Sequence, residues 1–530
     1  MVRMFLIGLL LGVASSMLGL FDPAVADAAC GIRIRKSYDR LTLDERRLYR
    51  RALQLAMDRG HYIKFVEMHT ERMSEMEAHR VCMFTYWHRY FLLGFENMLR
   101  SLGPEFECIT VPYWDEMQHN ARFLANVCNN MERCAPIVRD MGGSSSGPFM
   151  GITINGAYVA GDRCVNSPPL SSFCESSSRT GSACARCLPR GNLQRVGFPS
   201  ATSFASVYRQ VFTSGAFVST GQSVEEGMHN SLHAIMGGAM ATFQSPSDPL
   251  FWSHHAYVDL LLTIYLRCRV GLGRLTDDQK KNNPHAFVRC PHREDPGVFT
   301  SDSTVTMRAG EFGIKPVQVN TAGQSLFPFF RNVPSRYYQL ADITQLGDVR
   351  YTYQIGGLVG MLGMQCDASM PVRRRLESSH LRCKTDLDDG HDADAPESEA
   401  SNTTLTGEFY LDDDDDKDDG TVKVQAWVDD VRQALQARDP AITKDDEARE
   451  LEKMICMFYE TCRGGIHDYS DTFKRAFNVT APPPCKPIVD AIKAANSSSC
   501  AQLRLPDWKE RTVKYFPCDP SDGAYLVGGN

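Results

Sequence analysis

Apolar residues along this chain pass through helical, irregular and nearly absent phases. Met1 to Ala28 has a basic residue at Arg3, an unbroken apolar run from Met4 to Leu20, and small-residue endings at AVA and ADA. That pattern predicts a signal peptide at 1–28, cleaved after Ala26 or Ala28, too short and wrongly flanked for an anchor. From about Cys30 to Leu102 the spacing predicts helices, with Ser101-Leu-Gly-Pro104 as a stop. Within them His88, Phe91, Leu92, Phe95 and Leu99 fall on one face. From Cys108 to about Pro199 periodicity fades into a Ser/Gly/Pro-rich, cysteine-bearing stretch. A helical phase returns over 227–259, broken at Gly237-Gly238 and at the turn Ser245 to Pro249. Turns and short β-like runs follow from Cys268 to about Asp348. Between 361 and 420 apolar residues almost vanish and Asp and Glu concentrate, which predicts an acidic disordered linker. Helical patterns resume over 421–530, for example VQAWVDDVRQALQ from Val424.

Composition narrows the reading. The 530 residues carry a net charge of −7 and 18 cysteines. Behind an export signal, cysteines at that density predict disulfides whose pairing is not deducible from spacing. Cys184-Ala-Arg-Cys187 has no second such pair and is assigned to disulfides rather than to zinc or redox work. The acidic balance, with no basic patch among aromatics, excludes nucleic acid as a partner. No other long uncharged apolar run is present, so no membrane association is expected after cleavage.

The candidate chemistry lies in histidines. His229 and His233 stand four apart, so on a helix two imidazoles face one metal ion. The turn at Ser245 to Pro249 lets a second helix return the adjacent pair His254 and His255 to the same point. Zinc-protease chemistry is excluded, because HExxH needs a Glu where this chain has Asn230. His285, His292 and His391 lack ligand periodicity and read as surface or packing residues.

The ordered string GMHNSLHAIMGGAMATFQSPSDPLFWSHHAYVD resembles the CuB half of the tyrosinases, which are type 3 copper proteins. AHRVCMFTYWHRYFLLGFENML resembles their CuA half, with His79 and His88 in its second and third ligand positions. Nine residues at 3.6 per turn would set these two on opposite faces of one helix, so His79 is placed in a loop before the helix of His88. His61 and His69 both stand upstream. YIKFVEMH resembles the segment ending at the first ligand, which favours His69 and leaves His61 as the alternative. VPYWD at Val111 and RYTY at Arg350 resemble further family elements, with Tyr113 and Trp114 read as core.

What the resemblance implies can be stated residue by residue. The fold would be mainly α: a type 3 copper four-helix bundle with cysteine-rich loops over 29–360, plus a small helical, disulfide-rich C-terminal domain over 421–530. His69, His79 and His88 would hold one copper, and His229, His233 and His255 the other. His254 would be a neighbour and Asp259 an anchor for its helix. The partners would be small phenols and O2, with monophenols hydroxylated and o-diphenols oxidised to o-quinones; the alternatives are a catechol oxidase, a haemocyanin-like oxygen carrier, or a binding module that has lost copper. Asn230, beside the first CuB ligand, is associated in the family with a water that deprotonates monophenols, whereas Glu225 and Glu226 lie closer to His229 than the acidic residue of bacterial members. Phe243 occupies the place of a gate residue. Some members link a cysteine to the second CuA histidine from two residues before it; that position is Glu77 here, and Cys82 is read as a disulfide or buried thiol. Asn402, Asn478 and Asn496 begin glycosylation sequons. The basic triplet Arg373 to Arg375 is a candidate processing site, since many tyrosinase-type proteins are made latent by a C-terminal extension.

Overall fold

The computed structural model describes residues 30–212, 215–310, 315–364, 409–411, 418–495 and 501–518. The expected signal peptide, the basic triplet, His391, Asn402 and Asn496 lie outside them. The elements that position the site are β1 (Arg33–Arg35), α1 (Leu43–Asp58), α2 (His61–His69), α3 (Arg72–Ala78), α4 (Phe84–Arg100) and α5 (Glu116–Leu124). They continue with β2 (Arg163–Val165), β3 (Leu188–Arg190), α6 (Asn230–Met236), α7 (Pro249–Arg269), β4 (Tyr351–Ile355) and β5 (Phe409–Leu411). The C-terminal region adds α8 (Asp419–Arg438), α9 (Lys444–Cys462) and α10 (Asp471–Phe477).

The central element is α4. One apolar face was expected, yet only Asn97 of its residues escapes burial. A helix wrapped on all sides must satisfy its polar members internally. Arg89 does so on Asp259 of α7 at 2.5 Å, and Glu96 takes Arg35 of β1 at 3.0 Å and Arg33 at 3.2 Å. Asp259 also accepts Arg35 at 3.1 Å and the hydroxyls of Tyr351 and Tyr353 at 2.6 and 2.5 Å. The RYTY run therefore closes the fold by placing two phenols on the carboxylate that clamps α4 to α7.

Burial alone would raise the Asp259 carboxyl, but Arg89 and Arg35 outweigh it and hold the group below the ordinary range. Its contribution is complete above the unfolded-state value of about 4 and is lost as acid protonates it through the lower folded value. Asp259→Asn leaves two buried guanidinium groups short of a partner, and we expect a loss on the order of 3–5 kcal/mol. Thermal melts should then show wild type losing more stability than the variant between pH 7 and pH 3.

The sheet has the order β1–β4–β5, all parallel, with Arg33 opposite Tyr351 and Tyr353 opposite Phe409. β5 stands within the stretch expected to be linker, and a helix over Gly357–Met364 crosses the expected boundary at 360. The rest of that stretch lies outside the described residues, apart from the start of α8. Arg267 of α7 stacks over the Phe409 ring at 4.6 Å, fixing β5 to the helical core.

Seven disulfides are described, among them Cys30–Cys108, Cys164–Cys187 and Cys174–Cys184. Cys184 and Cys187 thus pair elsewhere rather than with each other. Cys82 pairs with Cys290, so it carries no link to histidine. Cys456–Cys485 and Cys462–Cys518 staple the C-terminal helices. Those helices share the main core through Trp427 and Phe458. Asp418 pairs with Arg122 of α5 at 2.5 Å, and Asn120 donates to the Tyr459 hydroxyl at 2.8 Å. Among the described residues, no helix is long and apolar enough to cross a membrane.

Candidate metal centre

His69 ends α2, His79 caps α3 in a loop as the nine-residue spacing requires, and His88 lies in the first turns of α4. Their ligand nitrogens lie within 4.8 Å of one another. His61, the alternative first ligand, stands apart against Phe329 at 5.7 Å. His229 closes a π-turn over Glu225–His229, and His233 follows on α6. Gly227 leaves helical geometry within this turn, at ψ −109°, and lies against Gln210: a Cβ there would stand 2.4 Å from the Gln210 amide oxygen, which accepts the Met228 N–H at 2.9 Å. Such bulges re-aim side chains and are frequent at functional sites.

α7 returns His254 and His255 to His229 and His233, and nitrogens of all four lie within 4.8 Å. His254, expected as a neighbour only, thus falls inside the group. Its Nδ1 is held by the buried Glu116 carboxylate at 2.5 Å, and its ring stacks on His229 at 5.3 Å. His255 instead stacks on His88 at 4.1 Å and 13°, which sets it between the two groups. Phe84 and Phe251 fill the space around these rings.

Backbone oxygens fix the tautomers. Nδ1 of His69 donates to Phe243 O at 2.9 Å, of His88 to Phe84 O at 2.8 Å, and of His233 to Met240 O at 2.6 Å. His229 Nδ1 donates to the Asn230 side-chain oxygen at 3.0 Å and to Glu225 O at 3.3 Å. A carbonyl only accepts, so in these four rings Nδ1 carries the proton and Nε2 keeps its lone pair. Each of those Nε2 atoms is buried without a hydrogen-bond partner, as are both ring nitrogens of His255. Native interiors rarely leave such atoms unpaired, and a metal ion is the partner that accepts lone pairs from several neutral imidazoles at once. Burial first, then neighbouring imidazoles, lowers His79, His88, His229 and His255 well below the ordinary range, and burial lowers His69 to about 4. The rings are therefore uncharged at neutral pH, the state a metal requires. Three imidazoles per ion suit copper in either oxidation state and leave positions open. The donor set fits a copper pair.

Asn230 is buried and spends its oxygen on His229. Glu225 is pushed up to about 8 by burial, and its carboxyl accepts the N–H of Arg80, the residue after His79, at 2.7 Å. Phe243 stands half-buried 5.1 Å from His79. Glu77, at the position of the missing cysteine, is instead bound by Thr306 N–H at 2.7 Å and by the Tyr337 hydroxyl.

The sequence reading missed Phe477. This last residue of α10 is buried, 5.3 Å from His233, 6.5 Å from His79 and 5.1 Å from Phe243. Phe473 stacks behind it, and Tyr469 shares a hydroxyl hydrogen bond with Ser231 at 2.9 Å. Tyr469, Phe473 and Phe477 recur every four residues, so one aromatic stripe was visible in the chain; nothing in the sequence named its partner.

Comparison of the sequence with known proteins points to one family. The family model "Common central domain of tyrosinase" matches residues 59–267. The tyrosinase of Streptomyces glaucescens is 30% identical over 265 residues, 46% of this chain and 85% of its own length. That of Streptomyces galbus is 31% identical over 257 residues, 45% of this chain and 85% of its own. Among solved structures, recombinant mushroom tyrosinase aligns over 61% of each chain at 17% identity, with a TM-score of 0.36. The family uses a binuclear copper site, phenols and O2, and this chain belongs to it: a tyrosinase-type oxidoreductase of the type 3 copper proteins.

Proposed function

We propose that the chain is a secreted phenol oxidase, released from the signal peptide at 1–28, that hydroxylates monophenols and oxidises o-diphenols to o-quinones. The catalytic domain is 29–360. His69, His79 and His88 hold one copper, and His229, His233 and His255 the other. The observation that carries this reading is the two facing groups of buried, neutral imidazoles with unpartnered nitrogens. His255, whose ring stacks on His88 of the facing group and leaves both nitrogens unpartnered, is read as the third ligand, with His254 held to Glu116 beside it. Copper held by these imidazoles would supply the redox chemistry between the phenol and O2.

The surrounding residues bind, orient and exclude. The Met240 and Phe243 carbonyls hold one imidazole from each group, so a single loop sets both. Phe243 supplies an apolar wall beside His79 on which a phenol ring can rest. Two o-diphenols lose four electrons and four protons in total, and one O2 becomes two waters. Asn230 fixes His229 through its side-chain oxygen, and in this reading it also assists the departure of a phenolic proton. Asn230→Ala should therefore lower monophenol oxidation by about tenfold or more, with o-diphenol oxidation much less affected. Paired oxygen-uptake assays on copper-loaded protein check this; equal losses on both substrates would contradict the role.

We also read the full-length chain as latent. Phe477 covers the face through which a phenol would reach His79 and His233. The C-terminal domain over 421–530 is the cover, the acidic linker over 361–420 its tether, and the basic triplet a place to cut that tether. Two features resist simple release after a cut: β5 is paired in the catalytic sheet, and α8 begins at the Asp418–Arg122 contact.

A further inference from the structure

The CuB ligands come from two helices that are not consecutive in space by themselves: α6 ends at Met236 and α7 begins at Pro249. Something must set the end of one against the start of the other. Between them stands Arg190, the last residue of β3 in the cysteine-rich segment, 1% exposed although it carries a full charge. Its Nε donates to Asp248 Oδ2 at 2.7 Å and one Nη to Asp248 Oδ1 at 2.6 Å, a two-pronged pair. Its other Nη donates to Met141 O at 2.9 Å and Gly143 O at 2.7 Å. Asp248 is itself the N-cap of α7, accepting the Leu250 N–H at 3.0 Å.

The same strand end also grips α6. The N–H of Gly191 donates to Met236 O at 3.2 Å. Gly238, at φ 55°, lies so close that a Cβ would stand 2.5 Å from Arg190 Cα and 2.4 Å from Pro189 O. β3 is in turn paired with β2 and bound to it by Cys164–Cys187. A stapled hairpin thus presents one guanidinium to the start of α7 and one backbone edge to the end of α6.

We propose that Arg190 is the positioning residue of the CuB half, holding His229 at the N-cap of α6 and His233 within it at the distance that lets His255 of α7 complete the site. It touches no imidazole, and its fork cannot be replaced by the single ammonium of lysine. Partners behind ligands typically cost about ten- to hundredfold in metal affinity when lost. The inference rests on the copper reading above and concerns chiefly the CuB half: the joint reaches the other group only through the Phe243 carbonyl on His69, while His79 and His88 are held elsewhere.

The test is copper content and electron paramagnetic resonance on full-length wild type, Arg190→Lys and Gly238→Ala after identical copper loading and desalting. Wild type should hold two coppers per chain with little signal, because two coupled Cu(II) ions cancel each other's magnetism. Arg190→Lys should fall toward one copper and gain the signal of an isolated Cu(II). Gly238→Ala attacks the same joint from the α6 side by crowding the Arg190 backbone while keeping both side chains of the ion pair, so it decides the matter should Arg190→Lys fail to fold. Folded variants that keep both coppers, or lose both together, would overturn the proposal. Wild type that binds no copper would instead overturn the copper reading itself.

Discussion

Full-length Phe477→Ala protein should oxidise an o-diphenol much faster than full-length wild type. The Phe477 ring is the part of α10 that reaches the histidines, while Phe473 and Tyr469 hold the helix from behind. Cutting the ring to a methyl both opens space above His233 and removes apolar burial that keeps the cover closed. Burying a phenylalanine is worth about 2–3 kcal/mol, which corresponds to roughly thirty- to 150-fold in the ratio of open to closed forms. A gain of at least about tenfold in kcat/KM is therefore expected, with copper content unchanged. Truncating the chain before α8 is a poorer test, because Trp427 and Phe458 belong to the main core and their loss would expose it. Equal turnover of wild type and variant would show that the cover does not limit access.

The second large effect concerns the metal itself. His88→Ala should reduce copper from two ions per chain to about one and abolish turnover in both the covered and uncovered forms. His88 is chosen because its ring stacks directly on His255 at 4.1 Å, so its loss removes one ion's ligand and opens the wall between the two groups. His61→Ala is the matched control. His61 stands against Phe329, away from the cluster, and its replacement should leave both coppers in place. Copper analysis with activity on the same samples distinguishes these results, and loss of copper from the His61 variant would reverse the assignment of the first ligand.

How much of this was legible in the sequence follows from how local each feature is. His229 and His233 share one helical turn, and the nine-residue spacing sets His79 in a loop before the helix of His88; the two groups as sets of three came from the family resemblance. Asp259 and the RYTY tyrosines were each singled out, yet their meeting was not, because a carboxylate on a helix and two phenols on a strand 92 and 94 residues later share no local pattern. α4 looked one-sided, since only its apolar positions repeat locally; the partners that bury Arg89 and Glu96, Asp259 and Arg35, come from distant elements. His254 could be separated from His255 by resemblance, but only the Glu116 carboxylate shows what engages it. Arg190 and Phe477 escaped for the same reason. Each acts through a contact made by chain folding back from far away, and neither carries a local signature of its own.

The most direct test of the account is oxygen uptake with an o-diphenol by copper-loaded full-length protein, measured side by side for wild type and Phe477→Ala. The account predicts little uptake by wild type and rapid uptake by the variant, at equal copper content of two per chain. Absence of uptake by the variant with both coppers bound would contradict it, since an uncovered pair held by six imidazoles would then bind copper without oxidising the phenol.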